Sequence, residues 1–253
     1  MSASAPPIAI AQLRERVARL EGAAARVRAV LPFGVPAIDR VLPGGGLALG
    51  SLHEVAGGGN GALDGAAAAL FAAGIAARTV GKVLWCVTRQ DLFAPALAQA
   101  GLSPDRVIYV EAGDEKAVLA CFEEGLRHRG LGAVVAEVAR LSMTASRRLQ
   151  LAGEGSGVIG IAIRRWRRQA DTTDFGQPTA AVTRWRVSAL PATPLPVPGV
   201  GRARWHVELI RCRAGESTDF EVEACDAQGR IRLPSVVADR PLQKEIGRRR
   251  AAG

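Results

Sequence analysis

Three apolar runs constrain this chain more than anything else in it: "VLWCV" (83–87), "AVVAEV" (133–138) and "VIGIAI" (158–163). Each is too short for a helix and lacks the polar alternation of a strand with one wet face. Such strands are buried on both sides, and when helix-length segments separate them they belong to a parallel sheet with helices packed on its faces. The separating segments fit. Residues 65–77 are alanine-rich, 92–101 read "LFAPALAQAG", 115–130 place Val118, Leu119, Phe122 and Leu126 on one face, and 144–155 read "TASRRLQLAGEG". The expected strands are 51–55, 82–88, 106–111, 131–138 and 158–165. Past residue 165 the pattern turns to period two in "AAVTRWRVSAL" (180–190), "RARWHVELIRCR" (202–213) and "DFEVEACDAQGRIRLP" (219–234), which read as antiparallel strands added to one sheet edge. The fold class is α/β: a mainly parallel sheet flanked by helices, with antiparallel strands at its C-terminal edge.

The flanks read differently. Residues 8–30 set Leu13, Val17, Leu20, Ala24 and Val27 at alternating spacings of four and three, an amphipathic helix with a heptad-like seam. Packing on its own domain and gripping a partner chain both suit such a helix. The proline-dense stretch 190–201 reads as an extended linker, and the basic end from Asp239 as a disordered tail. The expected organisation is an N-terminal helix over 1–30, one domain over 31–238 and a tail over 239–253. "VPAIDRVL" (35–42) is helix-sized and a glycine turn follows at Gly44–Gly46.

Composition narrows the function classes. The longest apolar run, 65–77, stops at Arg78, short of the roughly 18 residues of a membrane span. The N-terminus lacks the charged-then-apolar order of a secretory signal, so the cytoplasm is the expected location. Cys86, Cys121, Cys212 and Cys225 form no CxxC pair and His53, His128 and His206 are far apart, which suggests neither a metal site nor a disulfide framework. The cysteines are expected to be small buried hydrophobes. The net charge of +9 is lopsided: 13 Lys+Arg balance 13 Asp+Glu in residues 1–138, whereas 139–253 hold 20 against 11. An anionic partner should meet the C-terminal half.

The stretch "EVAGGGNGALDGAAAALFAAG" from residue 54 has the strand, glycine turn and helix of a phosphate loop. Such a loop needs glycines whose N–H groups turn inward, a lysine for the terminal phosphates and a hydroxyl for magnesium. Aligned from Gly57 through Gly58, Gly59, Asn60 and Gly61, the second glycine falls at Ala62, the lysine at Leu63 and the hydroxyl at Asp64. A carboxylate about 4 Å from a phosphate charge repels it by roughly 4 kcal/mol at an effective dielectric of 20, around a thousandfold in affinity. Asp64 is expected instead to precede the alanine-rich helix and satisfy its N-terminus, standing where an anion would. Glu137, ending "LGAVVA", is the one candidate for the acidic residue of a second phosphate-site motif, and without a lysine it reads as a polar strand end. ATP hydrolysis and a bound cofactor are not expected.

The order of elements resembles the RecA core over roughly residues 31–235, through "FGVPAIDRVLPGGGLALGSLHEVAGGGNG" (33–61). "GLALGSLHEV" (46–55) and "LSMTASRRLQLAGEGSGV" (141–158) bring it nearer the ImuA family, with the "SRRLQLA" helix as the specific element. The resemblance implies a RecA-like core with a degenerate phosphate loop. It also implies a non-catalytic role in SOS-induced translesion synthesis beside an ImuB-like Y-family polymerase homologue and an error-prone C-family DNA polymerase, with RecA as a further candidate contact. At the position of RecA's water-activating glutamate this chain has Arg89 or Gln90, which cannot serve as that base. A cell-division inhibitor resembling SulA, and an ATPase with an unconventional loop, are the competing classes.

Arginine beside tryptophan recurs in "IRRWRRQ" (163–169), "TRWRV" (183–187) and "ARWHV" (203–207). Arg164, Arg165, Trp166, Arg167, Arg168, Arg184, Trp185 and Arg186 are therefore contact candidates for single-stranded nucleic acid or for a protein. The plainer reading puts Trp185 and Trp205 in the core, with Arg184, Arg186 and Arg204 facing water. Arg147 and Arg148 are adjacent on one helix, so at most one should enter a given contact. The seam residues Leu13, Val17 and Leu20 complete the contact candidates. By resemblance, residues 167–181 form a DNA-facing loop.

Overall fold

The structure, a computed structural model, describes residues 29–59, 61–165, 175–192, 199–213, 215 and 217–234. The expected N-terminal helix up to residue 28 (with Leu13, Val17 and Leu20), Asn60, residues 166–174 (with Trp166, Arg167 and Arg168), most of the proline-dense stretch and the tail lie outside the described residues.

Eight strands form one sheet. They are β3 (Leu52–Gly57), β4 (Lys82–Val87), β5 (Val107–Glu111), β6 (Leu131–Val138), β7 (Ile159–Arg164), β8 (Thr183–Leu190), β9 (Arg204–Cys212) and β10 (Thr218–Glu223). Their spatial order is β10-β9-β8-β3-β7-β6-β4-β5. A two-stranded ribbon of β1 (Val30–Leu31) and β2 (Leu47–Ala48) precedes it, so Val30 belongs to a strand and not to the expected helix. Between these two strands α1 (Pro36–Asp39) is only four residues long, the rest of the helix-sized segment (40–42) is turn, and a 3-10 turn follows at Pro43–Gly45.

Helices α2 (Gly61–Ala77) and α3 (Ala94–Gln99) cover one face of the sheet, and α4 (Glu115–Arg127) and α5 (Met143–Gly153) the other. The first core joins Phe71 and Ile75 of α2 to Val55, Val83, Val135, Ile161, Trp185 and Trp205. The second joins Val118, Phe122 and Leu126 of α4 and Leu149 of α5 to Leu52, Val134 and Ala162. Alternate residues of one strand feed opposite cores, which is why "VIGIAI" has no polar position. Local chemistry starts the helices: Asp114 accepts the Ala117 N–H at 2.8 Å, and Ser142 accepts the Ala145 N–H at 3.2 Å.

One strand runs against expectation. β8 is parallel to β3, pairing His53 with Thr183 and Val55 with Trp185, and only β9 and β10 are antiparallel additions. The alternation in β8 comes from uneven cover. Trp185 and Val187 meet the core under α2, while Arg186 and Ser188 lie on the other face and stay part-exposed.

Candidate functional site

Ligand crevices in open α/β sheets lie beyond the carboxyl ends of the parallel strands. Here the strand ends bring together the glycine turn after β3, Ser188 and Ala189 near the end of β8, Glu137 on β6, Arg165 after β7 and Asp91 after β4.

Asp64 lies inside α2, whose first residue is Gly61; the helix starts four residues earlier than expected, so Asp64 does not precede it. Its buried carboxylate turns back into the glycine turn. Oδ2 accepts the Gly59 N–H at 2.8 Å, and Oδ1 accepts the Ala189 N–H of β8 at 2.9 Å. It thus ties turn, helix and sheet edge together, where the sequence had suggested a carboxylate satisfying the helix N-terminus in the place of an anion. The glycines serve this packing. A Cβ on Gly58 would stand 1.9 Å from Ser188 Oγ and 2.9 Å from Asp64 Oδ2, and one on Gly57 would stand 2.9 Å from the Asp64 carbonyl carbon. Leu63, at the lysine position, is 57% exposed.

The second acidic position is equally engaged. Glu137 Oε1 accepts the Trp85 indole N–H at 3.1 Å, and Oε2 accepts Arg165 Nη1 at 2.5 Å. Arg165 also forks onto Asp91, at 2.7 Å to Oδ1 and 3.1 Å to Oδ2. Partial burial would lower the Arg165 pKa, but the hydrogen bonds and charges of Glu137 and Asp91 outweigh it and the net shift is upward. Arg165, expected to contact a partner, bridges two carboxylates of its own chain. Arg89 and Gln90 are exposed beyond the end of β4.

A second charged cluster lies inside the sheet. Glu54, in the middle of β3, is fully buried and faces Arg184 at 3.1 Å and Arg164 at 3.6 Å. Arg164 Nη2 donates to the Ala139 carbonyl at 2.7 Å, while Arg184 Nη2 donates to the Phe175 carbonyl and its guanidinium stacks 4.5 Å from that ring. This corrects three contact candidates: Arg164, Arg184 and Trp185 are buried, so none presents a surface to nucleic acid or protein, and Arg184 does not face water. Arg184 stands opposite Glu54 across the parallel β3–β8 pair, while Arg164, opposite Ala56 on β7, reaches Glu54 diagonally on the same face. The signal available in the sequence was a lone glutamate inside an apolar strand, which demands buried cations.

Trp185 and Trp205 do fill the core, in a cluster with Phe33 and Phe71 whose ring centroids lie 5.5 to 6.3 Å apart. Arg186 is part-exposed and 3.6 Å from Glu208, and Arg204 pairs with Glu221. Arg147 and Arg148 are both exposed, and Arg148 reaches across to Glu123 on α4. In the expected DNA-facing loop, the described part packs down, with Phe175, Thr179 and Ala181 buried. Cys86 and Cys212 are buried, Cys121 and Cys225 half-buried, and burial pushes the Cys86 and Cys225 thiols up to about 12. Among the described residues no helix is long and apolar enough to cross a membrane.

The arrangement is RecA-like: a mainly parallel sheet between helix layers, with the phosphate-loop turn leading from β3 into α2. It matches the crystal structure of the RadB recombinase with a TM-score of 0.56, over 81% of this chain and 100% of that one; at 18% identity the likeness speaks for fold alone. No family model matches the chain. Protein ImuA from Caulobacter vibrioides, in strains NA1000 / CB15N and ATCC 19089 / CIP 103742 / CB 15, is 41% identical over 234 residues, covering 87% of this chain and 95% of that protein. The chain belongs to the ImuA family.

Proposed function

We propose that this chain is a non-catalytic RecA-like scaffold of damage-induced mutagenesis in the cytoplasm. It holds an ImuB-like Y-family polymerase homologue, and with it an error-prone C-family DNA polymerase, during translesion synthesis. The observation that carries the reading is the Asp64 carboxylate, which takes N–H groups of the glycine turn and of β8 for itself. A triphosphate entering that turn would have to displace a buried anion and then stand beside it, with Leu63 in place of a lysine. Kinship with ImuA supports the setting in DNA damage.

The protein role is favoured over a nucleic-acid role by the same geometry. Of the described arginines beside tryptophan, two are buried, and Arg165 and Arg186 have carboxylates of their own chain within salt-bridge range. The test is co-purification of the full chain with an ImuB-like partner, together with equilibrium dialysis against magnesium and ATP. A stable complex is expected, with no nucleotide retained. ATP binding tighter than about 100 μM, roughly −5.5 kcal/mol, would contradict the electrostatic argument.

A further inference from the structure

The eight-stranded sheet has two edges, and they are built differently. β10 sets Asp219, Glu221 and Glu223 at alternate positions, and the Glu223 N–H donates to the Arg232 carbonyl at 2.7 Å. Charges along an edge strand, and chain laid against it, keep one sheet from pairing with another. β5, the other edge, reads "VIYVE", with one charge at its end, no proline and no bulge. Among the described residues no strand pairs with its outer side, and Ile108 and Tyr109 are 47% and 38% exposed.

The hydrogen-bond pattern of β5 fixes which groups face outward. The Ala112 N–H donates inward to the Val87 carbonyl at 2.9 Å. Alternate residues of a strand turn their N–H and C=O to opposite sides, so Val110 and Ile108 also bond β4, and Val107, Tyr109 and Glu111 point away from it. An antiparallel neighbour satisfies these groups when outward residues stand opposite outward residues. Centred on Tyr109, the strand does this with a copy of itself: Tyr109 faces Tyr109, and Val107 faces Glu111, each pair exchanging both hydrogen bonds. On the opposite face of the ribbon Ile108 meets Val110.

The charges choose the same direction. Glu111, exposed at the C-terminal end of the edge, and Lys82, exposed beside its N-terminal end, have no oppositely charged side chain within salt-bridge range among the described residues. Val107 pairs with Val83, the neighbour of Lys82, so antiparallel apposition brings Glu111 of one copy to the Lys82 end of the other. Parallel apposition would set Glu111 beside Glu111. A hollow of about 220 Å³ on the α3 side of the edge, lined by Tyr109, Val87, Leu92 and Ala94, leaves room for the second tyrosine ring.

We infer that two copies of this chain join through β5, antiparallel and centred on Tyr109, so that their sheets run on as one. The contact uses the same surface on both copies and therefore closes as a dimer instead of growing into a filament. It stands independently of the scaffold reading.

Sedimentation velocity of the full chain from about 1 to about 200 μM should show the mass rising from monomer toward dimer. Tyr109→Lys and Tyr109→Glu each set like charges opposite one another at the centre and should raise the dimer Kd at least about tenfold. Mixed in equal amounts, the two variants should recover the dimer, because only a pair centred on residue 109 sets lysine against glutamate. Oxidised I108C/V110C should give disulfide-linked dimers, since the residues opposite each other lie about 4.5 Å apart at Cα. Ile108→Cys alone should not, because residue 108 faces residue 110. A chain that stays monomeric throughout that range, a mixture that does not recover the dimer, or a dimer that Tyr109→Lys leaves intact would each overturn the inference. Equal cross-linking by Ile108→Cys alone would overturn it too.

Discussion

Glu54 and His53, neighbours on β3, are both fully buried and hold opposite kinds of polar partner. Glu54 lies against two buried guanidiniums, so removing its charge takes a buried carboxylate from both Arg184 and Arg164. Breaking a buried pair by removing one partner costs about 3 to 5 kcal/mol, whereas an exposed pair contributes about 0 to 1. Glu54→Gln should therefore lower the urea-unfolding free energy by about 3 kcal/mol or more, and Arg186→Ala by less than about 1 kcal/mol. His53 shows the other case. The Thr183 hydroxyl accepts the Trp185 indole N–H at 2.8 Å and donates to His53 Nδ1 at 2.7 Å, which leaves Nε2–H to donate to the Ala48 carbonyl at 3.0 Å. This hydrogen-bond chain fixes a neutral imidazole, and burial lowers its pKa from 6.5 to about 4. The unfolded chain takes up the proton first, so stability is retained above pH 6.5 and lost as pH falls toward 4, by about 3 kcal/mol. Unfolding free energies measured from pH 7 to pH 4 should show that loss, and His53→Gln should flatten the slope.

At the scale of elements, α2 and the turn after α3 are both fitted to the turn after β10 by glycines. A Cβ on Gly74 would stand 2.2 Å from Cys225 Sγ, and one on Gly101 would stand 2.2 Å from the Gly229 nitrogen. The two encounters differ in what can yield. Gly74→Ala meets a side chain, and overpacking of that kind costs about 1 to 3 kcal/mol. Shortening Cys225 to Ala should restore most of the loss in the double variant, a coupling readable in a thermal or urea double-mutant cycle. Gly101→Ala meets backbone at a φ of +93° and should not be rescued by Cys225→Ala. The α2 helix also shows how far element-level reading reached. Its alanine-rich composition was legible, but not its start at Gly61, because Gly57 to Gly61 read as one glycine turn and Asp64 as the residue before the helix.

For the whole molecule, the prediction concerns linkage. A ligand that binds only the folded state stabilises it by about 2.7 kcal/mol at a concentration 100 times its Kd, which raises Tm by several degrees in a chain of this size. Millimolar magnesium and ATP should leave the melting temperature unchanged, as a loop already occupied by its own carboxylate requires. Thermal scans with and without nucleotide check this, and a rise of several degrees would count against it.

By itself the sequence determined the α/β class and the position of almost every strand and helix, because burial on one or both faces leaves a periodicity that local reading recovers, but it left Trp185 and Trp205 open between the core and a contact surface. Only the tertiary structure decided that β8 joins the sheet in parallel, since strand direction depends on which neighbour it meets and half-covered strands alternate in either direction. It alone decided that Arg165 clasps Glu137 and Asp91, and that Arg164 and Arg184 close on Glu54. A row of arginines reads the same in one dimension whether it awaits a partner or has found one. The physical difference is a few ångströms between residues as much as 130 positions apart, a separation set by sheet register and invisible to spacing along the chain.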